Sequence, residues 1–532
     1  MSAYDTAIIG AGHNGLICAC YLAKAGHRVA IVERRPEVGG AVCTKDDLIP
    51  GYKIDVGSSV HIMIHLTPIL KDLELESRFG LEYIEMDPWA YYPILGTKKG
   101  IHFYKDIDQT CESIATLSKE DAQTYKQFVK RWTELNEGVF ETFLKPPTPG
   151  KIFGTMLKRN ILRPHSRRLW SSLDTARQLM APYGQVIKET FKNDHLRAAL
   201  LWLSAQSGPT PDEVASGDML GWNAMIHRSG AKRAKGGSGM LSVALEQCLK
   251  HYAGDVITGA TVTSLRQSGD AWAINYLHSS NPDQVSQIQA KRVVSACHIQ
   301  TLFKMLKDEP SCPSKLSKRI DQLRVGNGFG MIVRHAVEEL PMYGSDEISP
   351  SRACAYHSAM QLLCPSESYL RSSLHTYAQG LPPQDPSVVA MTFSAIDPTL
   401  APPDKHTLFT WAQYHPYELS NQENWDDIKE READKLYDLV CRYAPNMKNK
   451  MIDRYIQTPL DIERLHGLLR ANVMHLEMSL DQMFFFRPLP ELADYKTPMK
   501  NLFLTGSSTH PGGGVFGASG YNTAQTVLSS SR

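Results

Sequence analysis

Three glycines and one acid near the start of the chain could hold the phosphates and ribose of a dinucleotide. Gly10, Gly12 and Gly15 sit in Gly10-Ala-Gly-His-Asn-Gly15, and Glu33 closes the next apolar run. Gly10 permits a tight turn, Gly12 lets the backbone approach a pyrophosphate, and Gly15 lets helix and strand pack closely. Asn14 lies in the same turn and is counted with the binding residues. The free N–H groups of a helix starting here would face the phosphates, favoured by the helix dipole. Glu33 suits hydrogen bonds from an adenosine ribose and argues against a 2′-phosphate.

Those residues need a βαβ frame, and the flanking sequence supplies one. Thr6 to Ile9 reads as a strand, His13 to Ala25 as a helix, and Arg28 to Val32 as a second strand ending at Glu33. The far end of the chain repeats the logic. A strand over 501–506 ends in Gly506, and the glycines between His510 and Gly520, Gly517 among them, lead into a helix from Tyr521. Backbone amides at that helix start could hold a ribityl chain and the pyrimidine end of a flavin, where reduction develops negative charge. Two glycine sites at opposite ends of one chain fit FAD, which is long enough to need both.

Between these ends the pattern changes several times. A helix is expected over 240–251, short strands around Gly259 within 255–264, and further strands over 271–278 and 287–295. Residues 105–230 are helix-rich, with Ala122, Tyr125, Phe128, Val129 and Trp132 at helical spacing. Residues 320–420 alternate as a sheet would, and 426–443 reads as an amphipathic helix stopped by Ala444-Pro445.

Composition narrows the classes. The chain has 532 residues and a formal net charge of +1, so no global field favours nucleic acid. No run approaches the roughly 18 apolar residues of a spanning helix. The glycine turn begins so near residue 1 that a cleaved leader is not expected, which points to the cytoplasm or the cytoplasmic face of a membrane. From Thr142 to Leu173 there is no acid, while seven Lys and Arg residues alternate with Phe153, Leu157, Ile161 and Trp170. Such a mixture suits peripheral contact with an anionic membrane, or equally a solvated helix face. The ten cysteines show no metal-ligand spacing, and Cys43 has no nearby partner for a redox dithiol. His61 and His65 could share a helix face, but no third ligand is visible, so no metal site is expected.

Several stretches resemble a known family. Glu33-Arg-Arg-Pro-Glu-Val-Gly-Gly40 resembles the Glu-x-Arg-x-x-x-Gly-Gly stretch of amine oxidases and phytoene desaturases, with Ala41 where most members have Arg. Asp397-Pro-Thr-Leu-Ala-Pro-Pro403, His475-Leu-Glu-Met-Ser-Leu-Asp-Gln482, Phe486-Arg-Pro-Leu-Pro490 and Thr509-His-Pro-Gly512 extend the likeness over nearly the whole chain. The chain is similar to the phytoene-desaturase branch of the flavin amine-oxidase superfamily. Within it, it resembles the β-carotene ketolases and the group of pyridine nucleotide-disulfide oxidoreductase domain-containing protein 2.

The resemblance implies an α/β fold with a discontinuous, Rossmann-like FAD-binding domain and an interleaved α+β substrate domain. The first would take residues 1–104, 230–300 and 495–532, and the second 105–229 and 301–494. It also implies that Arg35, Gly39, Gly40 and Ala41 lie along the FAD diphosphate, Gly57 and Ser58 at the next FAD-proximal turn, and a backbone group near Val262 at the adenine. The expected substrate is a long, lipophilic polyene, a carotenoid, undergoing ketolation, desaturation or isomerisation. His510 is the one catalytic candidate, and a mere brace of the glycine turn is equally compatible with it. Phe484-Phe-Phe486 reads as core or tunnel wall, and Glu477 and Asp481 as caps or buried partners. An amine substrate and a non-catalytic, partner-docking flavoprotein are the alternatives.

Overall fold

A computed structural model describes residues 4–148, 150, 166–343 and 356–530, with the backbone alone for 166–172. Most of the basic stretch therefore lies outside the described residues. Strand Tyr4–Ile9 forms parallel ladders with two neighbours: Thr6 sits opposite Val29 on one side and Arg292 on the other. A strand flanked on both sides and covered by helices should be apolar, and Ala7, Ile8 and Ile9 are buried. The long strand Asn281–Ser295 turns its first half to an antiparallel meander with Ala271–His278 and Ala260–Ser268. Its last residues lie between Tyr4–Ile9 and Leu502–Leu504, which is how the two ends of the chain meet in one sheet.

Helix His13–Lys24 is buried along most of its length, because it is packed between Met240–His251 and the C-terminal helix Ala518–Ser530. Residues 240–251 match their expected helix. The C-terminal helix starts at Ala518, three residues ahead of the expected Tyr521.

A second seven-stranded sheet runs in the order 451–457, 330–337, 406–413, 388–391, 360–363, 90–93 and 100–103. Its interior strand Gly330–Val337 is buried at every position, although its sequence includes Arg334 and His335. Strands 90–93 and 100–103 correct the sequence-based division, which put them with the dinucleotide unit. Met360 pairs with Ala90 in register, so both strands extend the second sheet. Helix Lys119–Phe143 covers this unit. Ser118 caps it by accepting the Asp121 N–H, Glu120 and Asp121 complement its dipole, and Ala122, Tyr125, Phe128, Val129 and Trp132 form its buried stripe. Among the described residues no helix is long and apolar enough to cross a membrane, and no group of three His, Cys, Asp or Glu could hold a metal ion.

Candidate functional site

The first glycine turn opens a helix whose start has no side-chain cap. Gly12 caps helix His13–Lys24 in an extended conformation, with no side-chain cap and no acid in the first turn. Nothing would lie within 4 Å of a β-carbon on Gly12, whereas one on Gly15 would come 2.2 Å from the Gly10 carbonyl. Gly12 therefore borders open space, and Gly15 lies at the closed contact with the turn. Glu33 is buried and held by backbone: Oε2 accepts the Ala11 N–H at 2.8 Å, and Oε1 accepts the Arg35 N–H at 3.0 Å.

The second glycine pair lies directly against the first. Gly39 N–H donates to the Ala11 carbonyl at 2.7 Å, and a β-carbon on Gly40 would stand 3.1 Å from Gly12 Cα. Arg35 Nη2 donates to the Gly40 carbonyl at 2.6 Å, which fixes the loop between strand and glycine pair. Ala41 accepts the Ser58 N–H at 2.8 Å, and any side chain on Gly57 would strike the Ala41 carbonyl at 2.2 Å. Residues 39–41 and 57–58 thus form one layer of backbone.

The third glycine site closes on the first from the C-terminal end. Gly506 donates its N–H to Ser519 Oγ at 2.9 Å, and Gly520 donates to Asn14 Oδ1 at 3.3 Å. A β-carbon on Gly520 would sit 2.3 Å from the Asn14 carbonyl, and one on Gly517 2.6 Å from Ile17 Cδ1. Asn14 therefore spends its side chain tying the helix starts together. At the other end Gly259 and Ala260 donate to the Arg35 and Glu33 carbonyls, bringing the buried Val262 within two residues of Glu33's neighbourhood. Beside it, Arg34, Arg35, Glu37, Thr261 and His466 line a cleft of about 410 Å³. The turns at Gly12, Gly39–Gly40 and Gly517–Gly520 are thus brought against one another, with this cleft at the Glu33 end.

His510 is fully buried next to this last loop. Its Nε2 faces the Thr142 carbonyl at 3.3 Å, Nδ1 has no partner, and its ring meets Phe143 and Phe484. Burial, aided by the charge of Arg487, holds its pKa down at about 3, so it is neutral at neutral pH. Phe140, Phe143, Trp222, Phe484 and Phe516 pack on one another here as one aromatic cluster, with ring centroids 5.2–6.4 Å apart. The phenylalanine run is not core throughout: Phe486 is 36 % exposed and its ring meets that of Phe485 at a tilt, while Phe484 alone of the three joins this cluster. Glu477 and Asp481 are not buried partners but surface ligands of the half-exposed Arg324, at 2.7 and 2.8 Å. His61 bonds Tyr83 and Ser238, each at 2.9 Å.

Three buried arginines have roles that the sequence did not reveal. Arg487 is fully buried and donates to the carbonyls of Met474, Gln482 and Ser507, clamping the segment after 474 onto the strand end at 507. Arg233 and Arg334, also buried, grip the Asp55–Ser59 turn. The available signal was an arginine, next to a histidine, inside the mostly apolar run Gly330-Met-Ile-Val-Arg-His-Ala-Val337.

Comparison with known proteins agrees with this architecture. The family model described as flavin containing amine oxidoreductase matches residues 15–335. The chain is 31 % identical to pyridine nucleotide-disulfide oxidoreductase domain-containing protein 2 of Rattus norvegicus, over 99 % of this chain and 93 % of that protein. It is 27 % identical to a subunit of the limonene dehydrogenase of Castellaniella defragrans, over 98 % of this chain and 94 % of that one. Identity to the lycopene-forming phytoene desaturase of Pantoea ananas is 24 %, over 98 % of each. Among solved structures, a putrescine oxidase variant redesigned in cofactor binding superposes with a TM-score of 0.62 at 14 % identity, covering 99 % of this chain and 98 % of that one. With a family match over more than half its length and a relative 31 % identical over 99 % of it, the chain belongs to the flavin-containing amine oxidoreductases and is an FAD-dependent oxidoreductase.

Proposed function

We propose that the enzyme removes hydride from a long, apolar polyene, a carotenoid or a related unsaturated hydrocarbon. The observation that carries this reading is the aromatic cluster of Phe140, Phe143, Trp222, Phe484 and Phe516 beside a neutral His510. Such a cluster suits a hydrocarbon and offers no ionised base to an amine. Two relatives named for dehydrogenating limonene and desaturating phytoene support the same substrate chemistry.

In this reading Gly10, Gly12 and Gly15 form the pyrophosphate turn and Glu33 accepts the ribose hydroxyls. Arg35, Gly39, Gly40 and Ala41 line the diphosphate, and the Val262 backbone meets the adenine. Gly57 and Ser58 lie along the ribityl end, with Gly506 and Gly517 on the pyrimidine side. Asn14 contributes by locking the two helix starts. FAD, when bound, supplies a hydride acceptor at N5. The chain's part is to exclude water and align a C–H bond, since the conjugated substrate delocalises its own positive charge. His510 braces the loop rather than moving a proton. The discontinuous division, with strands 90–93 and 100–103 reassigned to the substrate unit, belongs to the same proposal.

Expression in bacteria accumulating phytoene, lycopene or β-carotene, followed by pigment analysis, tests the reading. A lengthened chromophore indicates desaturation and a keto product indicates ketolation. Unchanged pigments alongside yellow holoprotein that amines bleach would overturn it.

We also propose that residues 142–173 meet the cytoplasmic face of an anionic membrane, where a lipophilic substrate would reside. Leu173 and Met180, seven apart on helix Ser166–Met180, are 53 % and 58 % exposed, so they share an exposed apolar face next to that stretch. Cosedimentation with anionic but not neutral vesicles is the expected result.

A further inference from the structure

The Asp55–Ser59 turn has a second face, turned away from Ala41, and behind it lies a cavity of about 20 Å³. Asp55, Ser59, Arg233, Arg334, Phe393 and Phe409 are among its walls. Both guanidinium groups are buried, Arg233 at 1 % and Arg334 at 4 % exposure. Each stands over an aromatic ring, Arg233 at 4.1 Å from the Phe393 centroid and Arg334 at 4.4 Å from that of Phe409.

The charges here do not balance. Arg233 Nη1 donates to Asp55 Oδ2 at 2.6 Å and to the Ser59 carbonyl at 3.1 Å. Arg334 reaches only carbonyls, Asp55 O at 2.7 Å through Nε and Gly57 O at 3.3 Å through Nη2. The Asp55 carboxylate is further occupied by Thr44 Oγ1 at 2.7 Å and the Ser238 N–H at 2.9 Å. Asp397, a buried acid on a neighbouring segment, is engaged by Gly236 N–H and by Thr399. Two buried cations therefore share one carboxylate.

Three buried polar atoms around this cavity have no protein partner: Ser59 Oγ, Arg233 Nε and Arg334 Nη1. The two arginine nitrogens can only donate, and the serine hydroxyl can donate as well. A water would satisfy donors but leave the excess positive charge in place. An anion meets both needs, and burial strengthens its attraction to the guanidinium groups. Size points to the class. A single water needs roughly 10–15 Å³ measured this way, so about 20 Å³ matches a monatomic or similarly small ion better than phosphate or an organic acid.

We propose that Ser59, Arg233 and Arg334 form a binding site for a small inorganic monoanion of the halide class. The ion neutralises the second arginine and fixes the Asp55–Ser59 turn beneath the dinucleotide groove. The proposal is independent of which substrate the enzyme oxidises.

The test uses FAD-loaded protein exchanged into gluconate and titrated with chloride or bromide at constant ionic strength. The melting temperature should rise saturably, by about 2 °C, with either halide. Ser59→Ala should fold and bind FAD, with the apparent halide Kd weakened about tenfold. Crystals grown in bromide should give an anomalous peak within hydrogen-bonding distance of Arg233 Nε and Arg334 Nη1. A melting temperature that follows ionic strength alone, an unchanged titration in Ser59→Ala, or bromide only at other positions would overturn the proposal.

Discussion

A β-carbon is the smallest change that tells a binding glycine from a merely turning one. Gly39 has φ +115°, and a β-carbon there would meet the Val42 carbonyl at 2.4 Å and Ser242 Oγ at 2.8 Å. Gly26, at φ +90°, has nothing within 4 Å. Gly26→Ala should therefore cost only its backbone strain, about 1 kcal/mol, and keep its flavin. Gly39→Ala must also push apart the loop that abuts Gly12, so it should cost about 2–4 kcal/mol and lower the flavin content of purified protein. The ratio of flavin to protein absorbance, with urea midpoints for both variants, checks this; equal costs and full flavin in both would refute it. The same contrast explains what was legible at this scale. Gly10, Gly12, Gly15 and Glu33 belong to one local strand–helix–strand unit, so their spacing alone carries the signal. Arg233 and Arg334 find their acceptors 178 and 279 positions away in sequence, and no local pattern encodes a partner that distant.

Elements were readable where their own periodicity was strong and misread where a distant partner chose for them. Helix 240–251 and the strand 271–278 follow from their own patterns. Strands 90–93 and 100–103 are short, and only pairing with Met360 assigns them to the second sheet. The joint between the sheets is where packing and charge combine. Asp55 lies in a two-residue strand, Arg233 in one sheet fragment and Arg334 in the interior of another, and the carboxylate is 3 % exposed. Removing its charge leaves buried guanidinium groups without a counter-ion. Asp55→Asn should accordingly destabilise by about 3–5 kcal/mol. Replacing both partners with apolar residues, Asp55→Leu with Arg233→Met, should recover part of that loss, because the desolvation penalty disappears together with the attraction. Urea midpoints of the two variants decide the matter. A double variant no more stable than Asp55→Asn would mean that the acceptor sites for Thr44 and Ser238, not the charge, hold the joint.

Over the whole molecule, burial of histidine links stability to pH. His61, His335, His415 and His510 are fully enclosed, and desolvation holds each of them down at about 3. In the unfolded chain the same rings take up protons near pH 6.5. Between those values the unfolded state binds more protons than the folded one, so stability falls as the pH drops from 6.5 towards 3 and is fully present above 6.5. Each ring contributes up to about 1.4 kcal/mol per pH unit inside that window. These four positions are scattered along the chain, His335 within a strand and the others in connecting segments, and composition gives no hint that they are enclosed. Their coupling to pH is a property of the folded whole. The expected outcome is a clear loss of urea midpoint between pH 7.5 and pH 5.5, measured with FAD saturating at both values. His510→Gln isolates the ring next to the terminal glycine loop: it should flatten part of this dependence and leave the pH profile of substrate oxidation between 6 and 8 unchanged. A profile that loses a neutral-range limb in His510→Gln would instead make the ring a proton carrier in the reaction.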